Sequence, residues 1–372
     1  MPKLKRLRQV FSTLDDPRAA NARHRLFDVI FIALCATLAG SRTCFQIAEF
    51  ARAKEEFLCQ LLDLQHGVPS HDTFSRIFRL LEPRAFEAAF RRFTSLFCTA
   101  LARDAVVAFD GKALRNAIAE GGRCSPLHMV NVWACGTNIA LAQFKAPNRN
   151  EVAGALEVLE LLSIAGTFVT ADALHCRPDI ARAILAKDAD YVLALKANRP
   201  KLLAAAKRCI EQAPAPSRDE QPAVRSHGRF ERRRIRIVRA AHLADEHDFP
   251  GLRAVACIET WRGTKKLPKN PRLKFFVLSR FVSAKRLRRI ARAHWSIENN
   301  LHWCLDVTFG EDKARTSLGH GPENLALIRK IALNMLQAHP AKMPLNHKIL
   351  RAGWRDDFLL EIFANASKQS PA

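Results

Sequence analysis

The region from residue 104 to residue 212 constrains the fold most, because its apolar residues change from a helical to a strand-like period. Short apolar runs over 105–109, 128–134 and 139–146 predict strands, and Gly136-Thr137-Asn138 predicts a hairpin between the last two. Helix and strand patterns then alternate over the ranges 151–164, 166–171, 178–187, 191–196 and 200–211. This order predicts an α/β domain with a mixed sheet.

The other regions predict a division of the chain around this core. The order of elements matches an RNase H-like core, preceded by an all-helical domain and interrupted by a strand-rich insertion before the last core helix. A Pro-rich, polar stretch at 213–222 predicts a linker where the insertion begins. The predicted segments are a helical, DNA-binding domain at 1–103, the first part of the core at 104–212, the insertion at 213–282, the last part of the core at 283–340 and a helical tail at 341–372.

The helical patterns on either side of residues 67–72 admit two interpretations. Turn and N-cap residues separate them, as in a helix-turn-helix that would face DNA with Arg76 and Arg79. A plain helical bundle fits the same pattern equally well. The apolar stretch 29–40 is too short to span a bilayer and predicts a buried helix.

The charge of the chain indicates a polyanionic partner. Lys and Arg number 59 against 36 Asp and Glu, a formal net charge of +23, and phosphate binding draws on such a surplus. A basic but otherwise ordinary soluble protein has a similar composition. The ten cysteines lack the close spacing of zinc or redox motifs, and the N-terminus lacks an apolar signal core. We therefore expect reduced cysteines, no membrane association and a cytoplasmic location.

Three acidic residues occupy positions that suit metal-dependent phosphoryl transfer. Asp110 and Asp172 each follow an apolar run, and Glu298 lies in a long basic helix that begins near Ser283. Mg²⁺ prefers hard oxygen ligands, and two ions about 3.5–4 Å apart can activate a nucleophile and stabilise a leaving oxygen. Taken singly, each acid is more typical of a turn, a cap or an ion pair.

The sequence blocks around these acids carry a family resemblance. They read DGKALR at 110–115, TADALH at 170–175 and HWSIENNLHW at 294–303. With HGRFE at 227–231, LDVTFGED at 305–312 and ENLALIR at 323–329, they resemble a bacterial family of insertion-sequence transposases that includes the H-repeat-associated proteins. The likeness covers about residues 10 to 340.

The resemblance implies a DDE-type transposase with Asp110, Asp172 and Glu298 as catalytic residues and ligands of Mg²⁺ or Mn²⁺, with two ions expected. Water would cut the phosphodiester bond at each element end, and the freed 3′-OH would attack target DNA. The expected partners are double-stranded DNA, as element ends and as target, and a second copy of the chain, because two ends are cut together. The expected location is the bacterial cytoplasm, at the nucleoid. A non-catalytic, domesticated DNA-binding protein and an RNase H-like nuclease without strand transfer stay open as alternatives.

The strand-rich region supplies further predicted DNA contacts. Alternation places Arg232, Arg234 and Arg236 on one face of a strand, although an edge strand protected by charge gives the same pattern. Trp261 ends another strand and is a candidate for stacking on an exposed base, although core packing also explains a lone Trp. Arg229 precedes the arginine run and is predicted to contact DNA with it.

The helix around Glu298 supplies others. His294, Glu298, His302 and Asp306 recur every four residues and predict one polar stripe. Contact of the histidines with phosphate, or support of the carboxylates, is favoured over a zinc site. The broader superfamily has Arg four residues before the Glu and Lys seven after it, where this sequence has His294 and Leu305. The remaining predicted DNA contacts are Arg292, a nearby substitute, and Lys112 and Arg115 of the first block.

Overall fold

A nine-stranded mixed sheet with helices on both faces organises the protein. The computed structural model describes residues 2–96, 101–118, 126–146, 150–214, 216–226 and 228–368, without the side chains of 2–4, 115–118, 126, 226 and 367–368. The helices are α1 (Pro2–Phe11), α2 (Leu26–Leu38), α3 (Cys44–Ala53), α4 (Glu55–Cys59), α5 (His71–Leu80), α6 (Pro83–Ser95), α7 (Glu151–Leu161), α8 (Pro178–Leu185), α9 (Pro200–Gln212), α10 (Leu243–Glu246), α11 (Ala284–Ser296), α12 (Gly321–Ala338), α13 (Leu345–Trp354) and α14 (Asp356–Lys368).

The sheet mixes parallel and antiparallel pairs, as predicted. Its strands are β1 (Val106–Ile118), β2 (Pro126–Ala134), β3 (Ile139–Lys145), β4 (Phe168–Ala171), β5 (Asp190–Leu195), β6 (Ser217–Ser226), β7 (Arg229–Arg239), β8 (Ala254–Gly263) and β9 (Arg272–Leu278). Their spatial order is β3-β2-β1-β4-β5-β9-β8-β7-β6. The β1–β4 and β4–β5 pairs are parallel, and every other neighbouring pair is antiparallel.

The two faces of the sheet carry different helices. Helices α7, α8 and α9 pack on one face, where Val107 and Phe109 of β1 are buried. Helix α11 packs on the opposite face, over β1, β4, β6 and β7. Because side chains alternate along a strand, Asp110 follows Ala108 onto the α11 face. The side of the sheet on which α11 packs is called the α11 face.

Strand β1 is longer than predicted and carries Asp110 inside it. The sequence placed Asp110 at the end of a strand, but β1 continues to Ile118 because it pairs with β2, with Asp110 opposite Asn131. The parallel pairing with β4 stops earlier, at Phe109 and Ala171. Asp110 therefore lies where β1 extends beyond its shorter neighbour.

The predicted linker at 213–222 is wrong in its second half, because residues from Ser217 onward form the edge strand β6. Proline is tolerated there because the pairing of β6 with β7 is interrupted between Gln221 and Val224, on either side of Pro222. Through the β5–β9 pair, the four strands β6–β9 extend the sheet that begins with β1–β5. The predicted insertion thus continues the core sheet.

The N-terminal helices form a layer with helices from the other end of the chain. Helix α2 is buried along nearly its whole length, as the apolar stretch predicted. It packs on α3 and on α12, which is itself almost completely buried. Helix α5 packs on α3 and α12 with Arg76 and Arg79 exposed, and only the five-residue α4 precedes it. These contacts favour the helical bundle over the helix-turn-helix.

The helix that carries Glu298 changes its winding just before that residue. Helix α11 begins after Ser283, whose side chain accepts a hydrogen bond from the Arg286 N–H, at 3.2 Å. Residues Ile297–His302 and Cys304–Thr308 are π-helical, and the Trp303 N–H donates to the Glu298 carbonyl five residues earlier. The predicted polar stripe is kept despite this change, since His294 contacts Thr170, His302 contacts Asp110 and Asp306 pairs with Lys112, all on the α11 face.

None of the helices in the described residues is both long and apolar enough to cross a membrane.

Candidate active site

The sheet brings Asp110 and Asp172 to adjacent positions. Phe109 and Ala171 form the last residue pair of the parallel strands β1 and β4, and each aspartate is the next residue in its chain. Neighbouring strands lie about 4.8 Å apart. Asp172 therefore begins the turn beyond β4 beside the point where β1 presents Asp110.

Helix α11 and the π-helical segment after it are held on this face by hydrogen bonds to the sheet. The His294 Nδ1 lies 2.9 Å from the Thr170 Oγ1, two residues before Asp172. The Trp133 Nε1 donates to the Ser296 Oγ at 3.0 Å. Glu298 follows two residues after Ser296 and is exposed at the edge of the site.

The three carboxylates interact electrostatically. Burial, together with the negative charges of Asp172 and Glu298, raises the pKa of Asp110 to about 7. A hydrogen bond from the Gly111 N–H and the proximity of His175 act in the opposite direction. The surroundings of Asp110 thus oppose its ionisation. A cation bound nearby would favour the ionised carboxylate.

Asp172 is ionised more easily. Its burial raises the pKa, but the His175 side chain, 2.9 Å from Oδ1, and the backbone N–H of Leu174 outweigh burial, so that the net shift is downward. The Nδ1 of His175 is used in this contact, and the ring is buried. His175 therefore fixes the orientation of the Asp172 carboxylate, a role that the sequence did not predict.

The donor set suits a hard divalent cation, since Asp110, Asp172 and Glu298 supply only carboxylate oxygens. Within the described residues, however, no three His, Cys, Asp or Glu side chains lie close enough together to form a complete metal site. The three carboxylates share one electrostatic environment but are not arranged around a common centre in this conformation. Binding of ions would therefore require the side chains to move closer together.

The two histidines of the Glu298 helix contact the sheet. The His302 Nδ1 lies 3.5 Å from the Asp110 Oδ2, and its Nε2 lies 3.5 Å from the Asn131 Nδ2. Burial, with Lys112 and Lys330 nearby, lowers the pKa of His302 to about 3, and burial lowers that of His294 to about 4. Both rings are neutral at pH 7 and orient polar groups of the site. A zinc site from His294, Glu298 and His302 finds no support, since His294 and His302 contact different strands.

Lys112 lies in a buried ion-pair network on the same face. Its side chain is 7% exposed, pairs closely with Asp306 and lies 2.7 Å from the Glu311 Oε2. Arg329 and Lys330 of α12 surround the same Glu311 carboxylate. The predicted contact of Lys112 with DNA does not fit this burial. Lys112 instead joins β1 to the segment that follows Glu298. The side chain of Arg115 lies outside the described residues.

The three arginines predicted to line one face of a strand lie on the opposite face of the sheet from Asp110. Arg234 and Arg236 both pair with Glu259, which is buried, and the Arg236 Nη1 donates to the Ile210 carbonyl of α9. Arg232 pairs with Glu220. Trp261 is half-buried between Arg232 and Arg234, with cation–π distances of 5.2 and 5.3 Å. These four residues stabilise the sheet and do not point toward the three carboxylates.

Basic residues on the α11 face of β7 and β9 lie nearer the site instead. Arg233 alternates with Ile235, which packs under α11, and it lies over the Trp295 ring at 5.2 Å. Lys274 of β9 lies 5.0 Å from the same ring. The pKa of Lys274 is lowered by burial, while Glu298 acts to raise it. Arg229, exposed at the start of β7, belongs to the same face by alternation.

Trp303 is a further candidate residue, which the sequence did not predict. It is 55% exposed, and its N–H bond to the Glu298 carbonyl places it one π-helical turn beyond Glu298. Of the predicted residues, Arg292 is exposed on α11. The signal for Trp303 was present in the third sequence block, but an α-helical period does not distinguish it from a core residue.

The sequence also matches known protein families. Residues 102–335 match the model described as Transposase DDE domain, and residues 8–94 match the one described as DDE_Tnp_1-associated. The chain belongs to the transposase DDE domain family. It is therefore a DDE-type DNA transposase, and enzymes of this family generally use divalent metal ions.

Relatives support this assignment over most of the chain. The putative transposase YncI of Escherichia coli O157:H7 is 30% identical over 95% of this transposase and 93% of its own length. The H repeat-associated putative transposase YhhI of Escherichia coli K12 is 29% identical over the same shares. The cryo-EM structure of a piggyBac transposase synaptic complex with hairpin DNA is 10% identical, with a TM-score of 0.47 over 94% of this chain and 76% of that chain. That similarity is too low to assign the fold.

Proposed function

We propose that this transposase cuts DNA at the ends of an insertion sequence and joins the freed ends to target DNA. Asp110, Asp172 and Glu298 bind two Mg²⁺ ions, or Mn²⁺ in their place, on an RNase H-like core. The observation that carries the proposal is the burial of Asp110 beside two further carboxylates, because negative charges placed together are stabilised by cations.

Different neighbouring residues orient Asp110 and Asp172. Two divalent ions, when bound, activate the attacking hydroxyl and neutralise the leaving oxygen of the phosphodiester. The Asp110 carboxylate is oriented by the Gly111 N–H and by His302, and the Asp172 carboxylate by His175. Glu298 lies on the π-helical segment, at the exposed side of the site. DNA therefore contacts it without a rearrangement of the sheet.

The partner is double-stranded DNA, first as element ends and then as target. We assign the DNA-facing surface to the α11 face, with Arg233 and Lys274 at Trp295 and with Trp303 one π-helical turn beyond Glu298. The exposed Arg229 of β7 and Arg292 of α11 extend this surface. A homodimer holds two ends together, since both ends must be cut for the element to move. The enzyme works at the nucleoid in the bacterial cytoplasm.

A cleavage and joining assay tests the proposed function. Labelled duplexes that carry the ends of the encoding element are incubated with the protein, a target plasmid and Mg²⁺, with EDTA as the control. We expect Mg²⁺-dependent release of a 3′-OH end and its covalent joining to the plasmid. Hydrolysis without joining would indicate a nuclease. Binding without any product would indicate a DNA-binding protein and would remove catalysis from the proposal.

Adjacent arginines on β7 provide a matched test of the DNA-facing surface. Arg233 lies on the α11 face and Arg232 on the other, and both are paired with a glutamate. We expect Arg233→Ala to weaken DNA binding and to reduce the slope of log affinity against log salt concentration by about 0.9, the loss of one phosphate contact. Arg232→Ala should leave both quantities near those of the wild type. Fluorescence anisotropy at several salt concentrations measures them, and equal effects of the two changes would contradict the assignment.

A further inference from the structure

Glu151 packs against the residue that follows Asp110. A Cβ added to Gly111 would lie 2.2 Å from the Oε2 and 2.6 Å from the Cδ of Glu151. Gly111 is not among the glycines with positive φ, so its backbone conformation does not demand glycine. A Cβ there would meet the carboxylate end of the Glu151 side chain, so a larger residue at this position requires that carboxylate to move away.

The position of Glu151 is fixed from two sides. Its Oε1 lies 2.9 Å from the Nδ1 of His128, which stands opposite Ala113 in the β1–β2 pair. Its backbone begins α7, whose N-cap Asn150 accepts a hydrogen bond from the Ala153 N–H at 3.2 Å. The Glu151 side chain is only 18% exposed. The carboxylate is thus held where it packs on β1.

Gly111 connects Glu151 to the active site through the backbone. Its N–H is hydrogen-bonded to the Asp110 carboxylate on the α11 face, while the Glu151 carboxylate packs on the glycine from the α7 face. Any movement of Gly111 therefore moves the peptide group that orients Asp110. A partly exposed His–Glu pair contributes little stability by itself, so its position is more informative than its energy.

We infer that Glu151, held by His128, is a positioning residue that fixes Gly111 and thereby the direction in which Asp110 presents its carboxylate. This inference rests on the proposed role of Asp110 as a ligand of the catalytic ions. Glu151 does not touch the reacting atoms. It acts on the geometry with which Asp110 meets a divalent cation, from the opposite side of the sheet.

The test compares Glu151→Ala with Glu157→Ala, a control on the same helix whose carboxylate is 38% exposed beside Arg84. We expect Glu151→Ala to lower kcat for cleavage about 10- to 100-fold, the usual cost of losing a group that orients a metal ligand. The Mg²⁺ concentration for half-maximal cleavage should rise, and the Kd for DNA should not change. Glu151→Gln keeps the shape and the contact with His128 and should restore most of the activity. The control should match the wild type.

A double substitution tests the contact itself. Gly111→Ala should lower cleavage strongly while Glu151 is present, and adding Glu151→Ala should recover part of that loss, since it frees the space. If Glu151→Ala does not fold, Glu151→Asp withdraws the carboxylate by one methylene and should show the same change in Mg²⁺ dependence. Unchanged kcat and Mg²⁺ dependence in Glu151→Ala, or no recovery in the folded double variant, would overturn the inference.

Direct titration of Mn²⁺ by electron paramagnetic resonance, with DNA bound, separates this inference from the proposed function. A weaker Mn²⁺ affinity in Glu151→Ala than in Glu157→Ala supports positioning even if turnover is too slow to measure. Equal affinities overturn it. Failure of the wild type to cut DNA while it binds Mn²⁺ would count against the catalytic proposal alone.

Discussion

Replacing Asp110 with Asn is expected to abolish DNA cleavage while DNA binding is kept. The amide has nearly the shape of the carboxyl group but carries no charge, so it cannot balance a divalent cation. We expect a fall in the cleavage rate of at least about 10²–10³-fold, the scale on which one preorganised electrostatic group contributes to a transition state. Single-turnover cleavage of labelled element ends measures the rate, and gel-shift titration measures binding.

Asp179→Asn is the matched control for this change. Asp179 is a partly exposed acid near the start of α8 that pairs with Arg177. Its replacement should leave cleavage unchanged. Asp172→Asn and Glu298→Gln should reproduce the loss seen with Asp110→Asn, because the three charges act together. Cleavage at near wild-type rate by any of the three would remove that residue from the catalytic set.

Replacing Glu311 with Ala is expected to destabilise the fold by about 3–5 kcal/mol, because it leaves buried cations without a counter-charge. Glu311 is 3% exposed and lies among Lys112, Arg329 and Lys330. Urea unfolding measures the free energy of unfolding. Glu157→Ala removes a partly exposed carboxylate and should change that quantity by no more than about 0.5 kcal/mol. A decrease of less than about 1 kcal/mol in the free energy of unfolding of Glu311→Ala would show that the Glu311 charge does not stabilise the network.

The same network predicts an acid dependence. Burial alone would raise the pKa of Glu311, but Lys330, Lys112 and Arg329 outweigh it and lower the pKa to about 2. A carboxyl group with a lowered pKa stabilises the fold above its unfolded pKa, and that contribution is lost as pH falls through the folded value. The stability difference between wild type and Glu311→Ala should therefore be constant near neutral pH. It should shrink as the pH is lowered from about 4.5 toward 2.

The sequence predicted local elements well and long-range pairing poorly. The burial of α2 and the strand before Asp172 follow from local apolar patterns. The extension of β1 through Asp110 does not, because it depends on pairing with β2, a distant part of the chain. Pro222 argued against a strand, yet an edge position and an interruption in pairing accommodate it.

The arginine run on β7 shows why the candidate DNA surface could not be predicted in full. Residues 232, 233, 234 and 236 are all Arg, so charge alternation cannot select a face. The packing of Ile235 and Ile237 against α11 decides it, in favour of Arg233. Similarly, the four-residue spacing from His294 to Asp306 fits an α-helix, and only the structure reveals the π turns.

The burial of α12 against α2 has a consequence for synthesis of the protein. Apolar residues of α2 emerge early from the ribosome, but the helix that covers them is complete only at residue 338. The apolar surface of α2 therefore stays uncovered for most of the synthesis of the chain. Exposed apolar surface favours aggregation and chaperone binding. Copies of the gene truncated between residues 298 and 321 should accordingly yield insoluble polypeptides, even though they encode all three acids.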